Sequence, residues 1–324
     1  MAGGPGRVVV TRRIPDAAVD VLREVADVWW PEPDRQLTVG ELHAALDGAD
    51  GAVVTLRDPV DEAFADAAGE RLRVVATVAV GYDNIDVPAL TGRGVTVAHT
   101  PGVLTEATAD LTFGLLLSVT RRLGEGERLL RSRTPWEFHL GFMLGTGLQG
   151  KTLGIVGLGQ IGRAVARRAR AFGMEIVYTG RRRAPADVEA ELDARPLSLD
   201  GLLATSDVVS LHCPLTAETR HLIDADALAA MKPTAFLLNT TRGPVVDEGA
   251  LARALADGTI AGAGLDVFER EPEVHPGLLE RDNVALAPHL GSATVETRTA
   301  MATLAARNVA AVLRGTTPPT PVRK

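Results

Sequence analysis

The chain has 324 residues, of which 46% are hydrophobic and 23% charged, with a formal net charge of −7 and an isoelectric point of about 5.6. This length predicts two domains with ample cores, and the acidic balance disfavours nucleic acids and anionic membranes as partners. The single cysteine, Cys213, excludes an intrachain disulfide and fits a cytoplasmic protein, and no apolar run reaches the ~18 residues of a membrane span.

Residues 7–97 alternate short β-rich runs with amphipathic stretches. We expect strands at 8–10, 51–54, 74–77 and 95–97, and helices at 17–25, 39–46 and 62–68. This alternation predicts a parallel sheet with helices on both faces. No glycine fingerprint follows the first strand, so we do not expect this sheet to hold a dinucleotide.

A long helix is predicted over 105–121, and a second alternation of strands and helices begins at residue 152. Its six predicted strands are 153–156, 176–179, 208–211, 235–238, 261–265 and 284–287. They indicate a doubly wound nucleotide-binding fold. A last helix within 292–313 is long enough to rejoin the first sheet, and the proline-rich stretch after it is expected to be a loose tail.

The fold class that follows is α/β, with two doubly wound parallel-sheet domains. A Rossmann cofactor domain, residues 102–290, is inserted into a flavodoxin-like substrate domain made of residues 1–101 and 291–324. Because the chain passes between the domains near residues 101 and 290, we expect the chemistry in a cleft between them.

A glycine fingerprint, Gly157-x-Gly159-x-x-Gly162, stands between an apolar strand and a helical stretch. Gly157 permits a tight turn, Gly159 lets the backbone approach a pyrophosphate, and Gly162 lets the helix pack on the sheet. The helix N-terminus then offers free N–H groups to the phosphates. The alternative is a strand–turn–helix whose glycines serve packing alone. The helix should end at Gly173 and bury Ile161, Val165, Ala169 and Phe172.

The end of the second strand of this fold indicates which dinucleotide binds. NAD enzymes usually place an acid there, to bind the ribose 2′-hydroxyl, whereas this chain reads Gly180-Arg181-Arg182-Arg183. Guanidinium groups bind a 2′-phosphate in a bidentate manner, so the sequence favours NADPH, with NADH as the other candidate. The alternative is an exposed basic turn that only aids solubility.

Arg242, Glu271 and His289 follow the fourth, fifth and sixth strands of the nucleotide-binding fold. Open parallel sheets bind ligands beyond the carboxyl ends of their strands, where all three residues fall. Together they offer a clamp for a carboxylate, an acid/base group and a group that tunes it.

Five segments, in this order, resemble the D-2-hydroxyacid dehydrogenase family, and within it the glyoxylate/hydroxypyruvate reductases. They are Val-Gly-Tyr-Asp-Asn-Ile-Asp at 80–86, Thr-Pro-Gly-Val-Leu-Thr-Glu-Ala-Thr-Ala-Asp at 100–110, the glycine fingerprint, Thr-Arg-Gly-Pro-Val-Val-Asp at 241–247 and Pro-His-Leu-Gly-Ser-Ala-Thr at 288–294. The resemblance implies reduction of small 2-keto acids, such as glyoxylate and hydroxypyruvate, to D-2-hydroxy acids.

The resemblance also implies roles for single residues. Arg242 would bind the carboxylate and carbonyl oxygen of the substrate, His289 would be the acid/base group, and Glu271 would pair with that histidine. Val80 and Gly81 would contact the carboxylate through backbone N–H groups, or would form an ordinary turn after a strand.

The resemblance implies a larger set of cofactor contacts. Its members are Thr108, Gly157, Leu158, Gly159, Gln160, Ile161, Gly162, Gly180, Arg181, Arg182, Arg183, Cys213, Pro214, Thr219, Thr240, Thr241, Arg242, Asp266, His289 and Gly291. Thr108 and Asp266 have ordinary alternatives, a hydroxyl on a helix surface and a cap at a strand end. Cys213 is more simply a small packing residue than a nucleophile. The histidines show no ligand spacing, so we expect no metal.

The resemblance further implies a homodimer, with the helix from Thr105 and the connection to Gly150 at the interface. Trp136 in that connection would reach the active site of the partner subunit or only pack in the interface. Two other functions remain open. One is another dehydrogenase of the 2-ketogluconate, phosphoglycerate or phosphite type; the other is a non-catalytic protein that senses dinucleotides.

Overall fold

The computed structural model describes residues 6–322, and in that range the strands assemble into two separate parallel sheets. The strands are β1 Gly6–Val10, β2 Ala26–Trp29, β3 Gly51–Val54, β4 Val74–Thr77, β5 Thr96–Ala98, β6 Thr152–Val156, β7 Glu175–Thr179, β8 Ala194–Pro196, β9 Val208–Leu211, β10 Phe236–Asn239, β11 Gly262–Leu265 and β12 Val284–Leu286. The helices are α1 Asp16–Arg23, α2 Val39–Leu46, α3 Glu62–Ala68, α4 Val87–Gly92, α5 Thr105–Thr120, α6 Leu123–Arg131, α7 Gln160–Ala171, α8 Ala186–Leu192, α9 Leu199–Thr205, α10 Ala225–Ala229, α11 Glu248–Asp257, α12 Pro276–Leu279 and α13 Val295–Leu313.

Within the described range, the first compact unit comprises residues 6–104 and 294–322. Its sheet has the order β2-β1-β3-β4-β5, the flavodoxin-like order of an open doubly wound sheet. Apolar clusters cover both faces, one beneath α2 and α3 and the other beneath α1 and α13. The parallel α/β architecture predicted for this part of the chain is confirmed.

The second unit, residues 105–293, holds a seven-stranded parallel sheet among its described residues, in the order β12-β11-β10-β9-β6-β7-β8. The order reverses beside β6, since β7 lies on one side of it and β9 on the other. This is the switch point at which doubly wound sheets bind nucleotides. The predicted Rossmann architecture is confirmed.

The structure corrects several details of the sequence analysis. Two strands, β2 and β8, and two helices, α4 and α6, were not predicted. Phe172 is 42% exposed rather than buried, because it lies just beyond the last residue of α7. One part of its ring still packs on the Phe113 ring. The tail is not loose up to residue 322, because the Val322 N–H donates to the Val97 carbonyl at 2.8 Å. Its last two residues lie outside the described range.

None of the helices described within residues 6–322 combines the length and apolar character needed to cross a lipid bilayer.

Candidate active site

The glycine fingerprint forms the turn between β6 and α7. Gly157 has φ +100°, and a Cβ there would lie 2.8 Å from the carbonyl carbon of His212, so a glycine is required on both counts. A Cβ at Gly162 would overlap the Gly157 carbonyl oxygen. By contrast, a Cβ at Gly159 would meet nothing within 4 Å. Packing therefore explains two of the glycines and leaves Gly159 unexplained.

Gly159 caps α7 without a side-chain hydrogen bond to the helix. No side chain at the cap accepts the first-turn N–H groups of this helix, which begins at the switch point of the sheet, and free N–H groups at a helix N-terminus can bind a pyrophosphate. Three neighbours complete this loop: Leu158 and Ile161 are partly buried against the sheet, and Gln160 is exposed. The loop fits the phosphates of a dinucleotide.

The turn after β7 carries no acidic residue in Gly180–Arg183, and all four of its residues are exposed. The guanidinium of Arg183 is held by Glu189 through two hydrogen bonds of 2.9 and 2.8 Å. This guanidinium, with the Tyr178 hydroxyl, lowers the pKa of the Glu189 carboxyl to about 2. Arg181 and Arg182 make no such ion pair among the described residues, so they are the better candidates for binding a phosphate.

The loop after β9 contains Cys213, Pro214 and Thr219. The Thr219 hydroxyl donates to the Pro214 carbonyl at 2.6 Å and accepts the Thr216 N–H at 2.8 Å, which closes the loop. Burial raises the pKa of the Cys213 thiol to about 11, so the thiol stays protonated at neutral pH. Cys213 also packs against the apolar core of the unit, and its predicted contact with the cofactor stays a prediction.

Asp266, which follows β11, is 1% exposed and accepts the N–H groups of Leu290 and Gly291 at 2.6 and 2.7 Å. Its backbone carbonyl also accepts the His289 N–H at 2.8 Å. Burial raises the pKa of this carboxyl, and the two N–H bonds oppose the rise. Asp266 therefore fixes the turn that carries His289, and its predicted contact with the cofactor stays a prediction.

Thr108 is buried in α5, so its interpretation as a hydroxyl on a helix surface is wrong. Its hydroxyl donates to the Gly291 carbonyl at 3.1 Å, which ties α5 to the same turn. One helical turn later, the Thr112 hydroxyl lies 3.1 Å from that of Thr240. The helix thus joins the ends of β10 and β12.

Arg242 lies three residues beyond β10, in a turn shaped by Asn239. The Asn239 side chain accepts the Thr241 N–H at 3.0 Å and donates to the Arg242 carbonyl at 2.9 Å. Guanidinium Nη1 of Arg242 also donates to the Thr241 carbonyl at 3.0 Å. The next residue, Gly243, is pressed against the backbone of Phe268, with which a Cβ would overlap. The arginine turn therefore packs directly on the segment that leads to Glu271.

His289 and Glu271 form a hydrogen-bonded pair. Nδ1 of His289 lies 2.9 Å from Oε2 and 3.2 Å from Oε1 of Glu271, and the two side chains are 27% and 20% exposed. The Phe268 N–H donates to Oε1 of the same carboxylate at 3.2 Å. His289 has φ +55°, an uncommon conformation for a non-glycine residue, and such residues cluster at functional sites.

The three residues belong to loops at one edge of the sheet, because β10, β11 and β12 are parallel neighbours. Hydrogen bonds connect the loop ends in sequence, from the Asp266 N–H to the Asn239 carbonyl at 3.0 Å and from the His289 N–H to the Asp266 carbonyl. A cation, an acid/base group and its carboxylate thus gather at the edge where doubly wound sheets bind ligands.

Val80 and Gly81 lie in the first unit, just beyond β4. The Val80 carbonyl is 2.9 Å from Nδ1 of His99, whose ring makes an edge contact with Tyr82 at 5.4 Å between centroids. This contact fixes the turn. The role of the two residues in binding substrate stays a prediction.

Sequence reasoning missed four residues that shape this edge: Asn239, His221, Glu248 and Glu269. Asn239 ends a buried strand with a polar side chain, a signal that could have been noticed. The other three come from distant parts of the chain, and no local spacing relates them. Among the described residues, no group of three or more His, Cys, Asp or Glu side chains is arranged to hold a metal ion.

Comparisons with known proteins identify the family. The family model for the D-isomer specific 2-hydroxyacid dehydrogenase, NAD binding domain, matches residues 113–291. The glyoxylate reductase of Thermococcus litoralis is 46% identical over 323 residues, covering 98% of this chain and 97% of that protein.

Solved structures are similar over the same extent. A protein from Thermus thermophilus has a TM-score of 0.90 at 46% identity, covering 98% of this chain and 100% of that one. The NADPH-dependent glyoxylate/hydroxypyruvate reductase of Sinorhizobium meliloti, solved with NADP and malonate, has a TM-score of 0.88 at 38% identity, covering 98% and 97%.

Proposed function

Because this chain belongs to the D-isomer specific 2-hydroxyacid dehydrogenase family, we propose that it reduces glyoxylate and hydroxypyruvate to 2-hydroxy acids, with NADPH as the preferred reductant. The observation that carries the proposal is the contact of 2.9 Å between His289 and Glu271, on the sheet edge that also carries Arg242. An acid/base group beside a cation suits a substrate that is an anion and gains a proton.

When bound, the reduced nicotinamide supplies a hydride to the keto carbon, and negative charge develops on the carbonyl oxygen. Glu271 holds Nδ1 of His289 and stabilises the charged imidazolium by its own negative charge. The other ring nitrogen, Nε2, then donates the proton to the oxygen. Arg242 binds the substrate carboxylate and stabilises the developing charge. One hydride and one proton convert the keto group to a hydroxyl group.

The choice of NADPH rests on the turn after β7. A carboxylate there would repel a 2′-phosphate, and Gly180–Arg183 contains none. We assign the phosphate to Arg181 and Arg182, since Glu189 already neutralises Arg183. The NADPH-dependent reductase of Sinorhizobium meliloti, solved with NADP, supports the choice of NADPH by analogy.

The pairing of Arg12 in the first unit favours a small substrate over a phosphorylated one. Arg12 donates to both oxygens of Asp34 at 2.9 and 3.0 Å, and the Arg13 N–H donates to the same carboxylate at 2.9 Å. These contacts lower the pKa of Asp34 to about 2, so it stays charged and neutralises Arg12. Because Arg12 is already paired with Asp34, it is a poor binding group for a substrate phosphate.

The proposal also includes a homodimer in the cytoplasm. The connection between α6 and β6 exposes large apolar side chains, with Phe138 at 81% and Leu140 at 90%. Its Trp136 ring stacks on that of Phe142 at 5.7 Å. Exposed apolar groups of this density are typical of a protein interface.

A steady-state panel of 2-keto acids with both cofactors tests the proposal. We expect the highest kcat/KM with NADPH and glyoxylate or hydroxypyruvate, and D-glycerate as the product from hydroxypyruvate. Values for 2-ketogluconate and for phosphohydroxypyruvate should be at least about tenfold lower, since a tenfold ratio needs only about 1.4 kcal/mol. A tenfold advantage of NADH, or a phosphorylated best substrate, would contradict the proposal.

A further inference from the structure

His221 connects the segment after Arg242 with the segment that carries Glu271. Its backbone N–H donates to the Pro244 carbonyl at 2.8 Å, two residues beyond Arg242. Its Nε2 lies 2.6 Å from Oε1 of Glu269, two residues before Glu271. The residue has φ +52°, an uncommon conformation for a side chain other than glycine. One residue thus holds both loops.

Glu269 is itself fixed to the first residue of α11. The Glu269 N–H donates to Oε2 of Glu248 at 2.7 Å, and the Glu248 N–H in turn meets Oε2 of Glu269 at 3.4 Å. Glu248 is 7% exposed, and its other oxygen accepts the His275 N–H at 2.8 Å. A carboxylate at a helix N-terminus is stabilised by the free N–H groups and the dipole there.

These contacts place a second histidine–carboxylate pair behind the first. The carboxylates of Glu248 and Glu269 each accept the backbone N–H of the other residue. Their like charges repel, and the His221 imidazole lies against the Glu269 carboxylate. Together these hydrogen bonds fix both ends of residues 268–275, the segment that carries Glu271. Proton transfer requires such fixation, because a shift of about 1 Å at a reacting group can cost about a hundredfold in rate.

We propose that His221 and Glu269 are positioning residues, which set the Glu271–His289 pair against Arg242 during proton transfer; this rests on the proposed function. Neither residue touches the reacting atoms. Removal of the pair should therefore lower kcat and leave KM and cofactor binding nearly unchanged.

The test compares His221→Ala, His221→Gln, Glu269→Ala and the double variant His221→Ala/Glu269→Ala with the unaltered protein. The control is His43→Ala in α2, which removes an imidazole from the first unit. Each protein is measured for kcat and KM with glyoxylate, for NADPH binding by fluorescence titration and for thermal unfolding. Binding and unfolding are read without turnover.

We expect His221→Ala to lower kcat about tenfold or more while KM and the NADPH Kd change less than threefold. Glutamine retains an N–H donor for Glu269, so His221→Gln should recover most of the lost rate. The double variant should lose no more than the larger single loss, because the two side chains act as one unit.

A kcat for His221→Ala within twofold of the unaltered protein overturns the inference and leaves the proposed function standing. So does a parallel loss of kcat, NADPH binding and thermal stability, which indicates general unfolding. If the unaltered protein binds NADPH but turns over no 2-keto acid, the proposed function fails, and the positioning role fails with it.

Discussion

The backbone of Gly243 lies directly against the carbonyl group of Phe268, so closely that a Cβ on Gly243 would overlap both atoms of that carbonyl. Gly243 follows Arg242, and Phe268 donates its N–H to Glu271. The absence of one side chain therefore lets the arginine turn and the glutamate segment pack together.

Substitution of Gly243 should be costly to both stability and activity. We expect Gly243→Ala to lower the free energy of unfolding by about 2 kcal/mol or more, because neither backbone can move without disturbing buried packing. The kcat/KM for glyoxylate should fall with it. Gly40→Ala in α2 is the matched control, since a Cβ there meets nothing within 4 Å and stability should hold or rise. Denaturant unfolding of both variants would show whether the overlap is real.

Two glycines of the nucleotide-binding unit should separate cofactor binding from folding. Gly159→Ala places a methyl group in open space, so we expect unchanged thermal unfolding but NADPH binding at least about tenfold weaker, through a blocked pyrophosphate. Gly154→Ala would overlap Ser206 and Leu202 and should instead lower stability. If Gly159→Ala and the unaltered protein bind NADPH with equal affinity, the pyrophosphate of NADPH does not bind at the Gly159 loop.

The arginines after β7 should contribute unequally to cofactor preference. The double variant Arg181→Ala/Arg182→Ala should lower the ratio of kcat/KM with NADPH to that with NADH by about tenfold or more, because a charge-assisted phosphate contact is lost. Arg183→Ala should change the ratio less than about threefold, since Glu189 already binds that guanidinium. A larger effect at Arg183 than at the pair would reverse the assignment.

His212 should make the protein sensitive to acid. Burial lowers the pKa of its imidazole from 6.5 to about 3, and its Nδ1 has no partner among the described residues. The unfolded chain binds a proton below pH 6.5 that the folded chain does not bind until about pH 3, so stability is lost as the pH falls through this window. Between pH 7 and pH 5 the loss from this group is about 2 kcal/mol.

The variant His212→Gln removes that titration. It keeps a polar group beside Ser210, whose hydroxyl lies 2.9 Å from Nε2 of His212 in the unaltered protein. Urea unfolding at pH 7 and pH 5 should therefore show a smaller loss for the variant by about 2 kcal/mol. Both proteins have the same carboxyl groups, so the contribution of these groups to the pH dependence cancels in the comparison. Identical pH dependence would mean that His212 is charged or solvated in the folded protein.

The sequence predicted the parts of the fold that have strong local patterns. Strands β3, β4 and β9 and helices α2 and α3 begin and end at the predicted residues. The missed elements have weak patterns: β8 is a short edge strand that contains Pro196, and α6 contains two glycines and buries none of its side chains. A short strand at a sheet edge depends on its neighbour more than on its own residues.

The candidate site was predictable wherever a residue follows a strand directly or belongs to a recognisable motif. Arg242, Glu271 and His289 lie on one edge because parallel strands end together. The contacts behind them were not predictable, since the pair of His221 and Glu269 is separated by 48 positions. The pairing of Arg183 with Glu189 was also missed, because propensity does not indicate which charged side chains meet.

The most direct test of the central claim is the rate of glyoxylate-dependent NADPH oxidation by the unaltered protein and by His289→Ala. The unaltered protein should turn over, and His289→Ala should lose about 10²–10⁴ in kcat because the proton donor is missing, with a much smaller change in the NADPH Kd. His43→Ala, which removes an imidazole from α2 of the first unit, should keep full activity. A rate for His289→Ala within a few-fold of the unaltered protein would contradict the account.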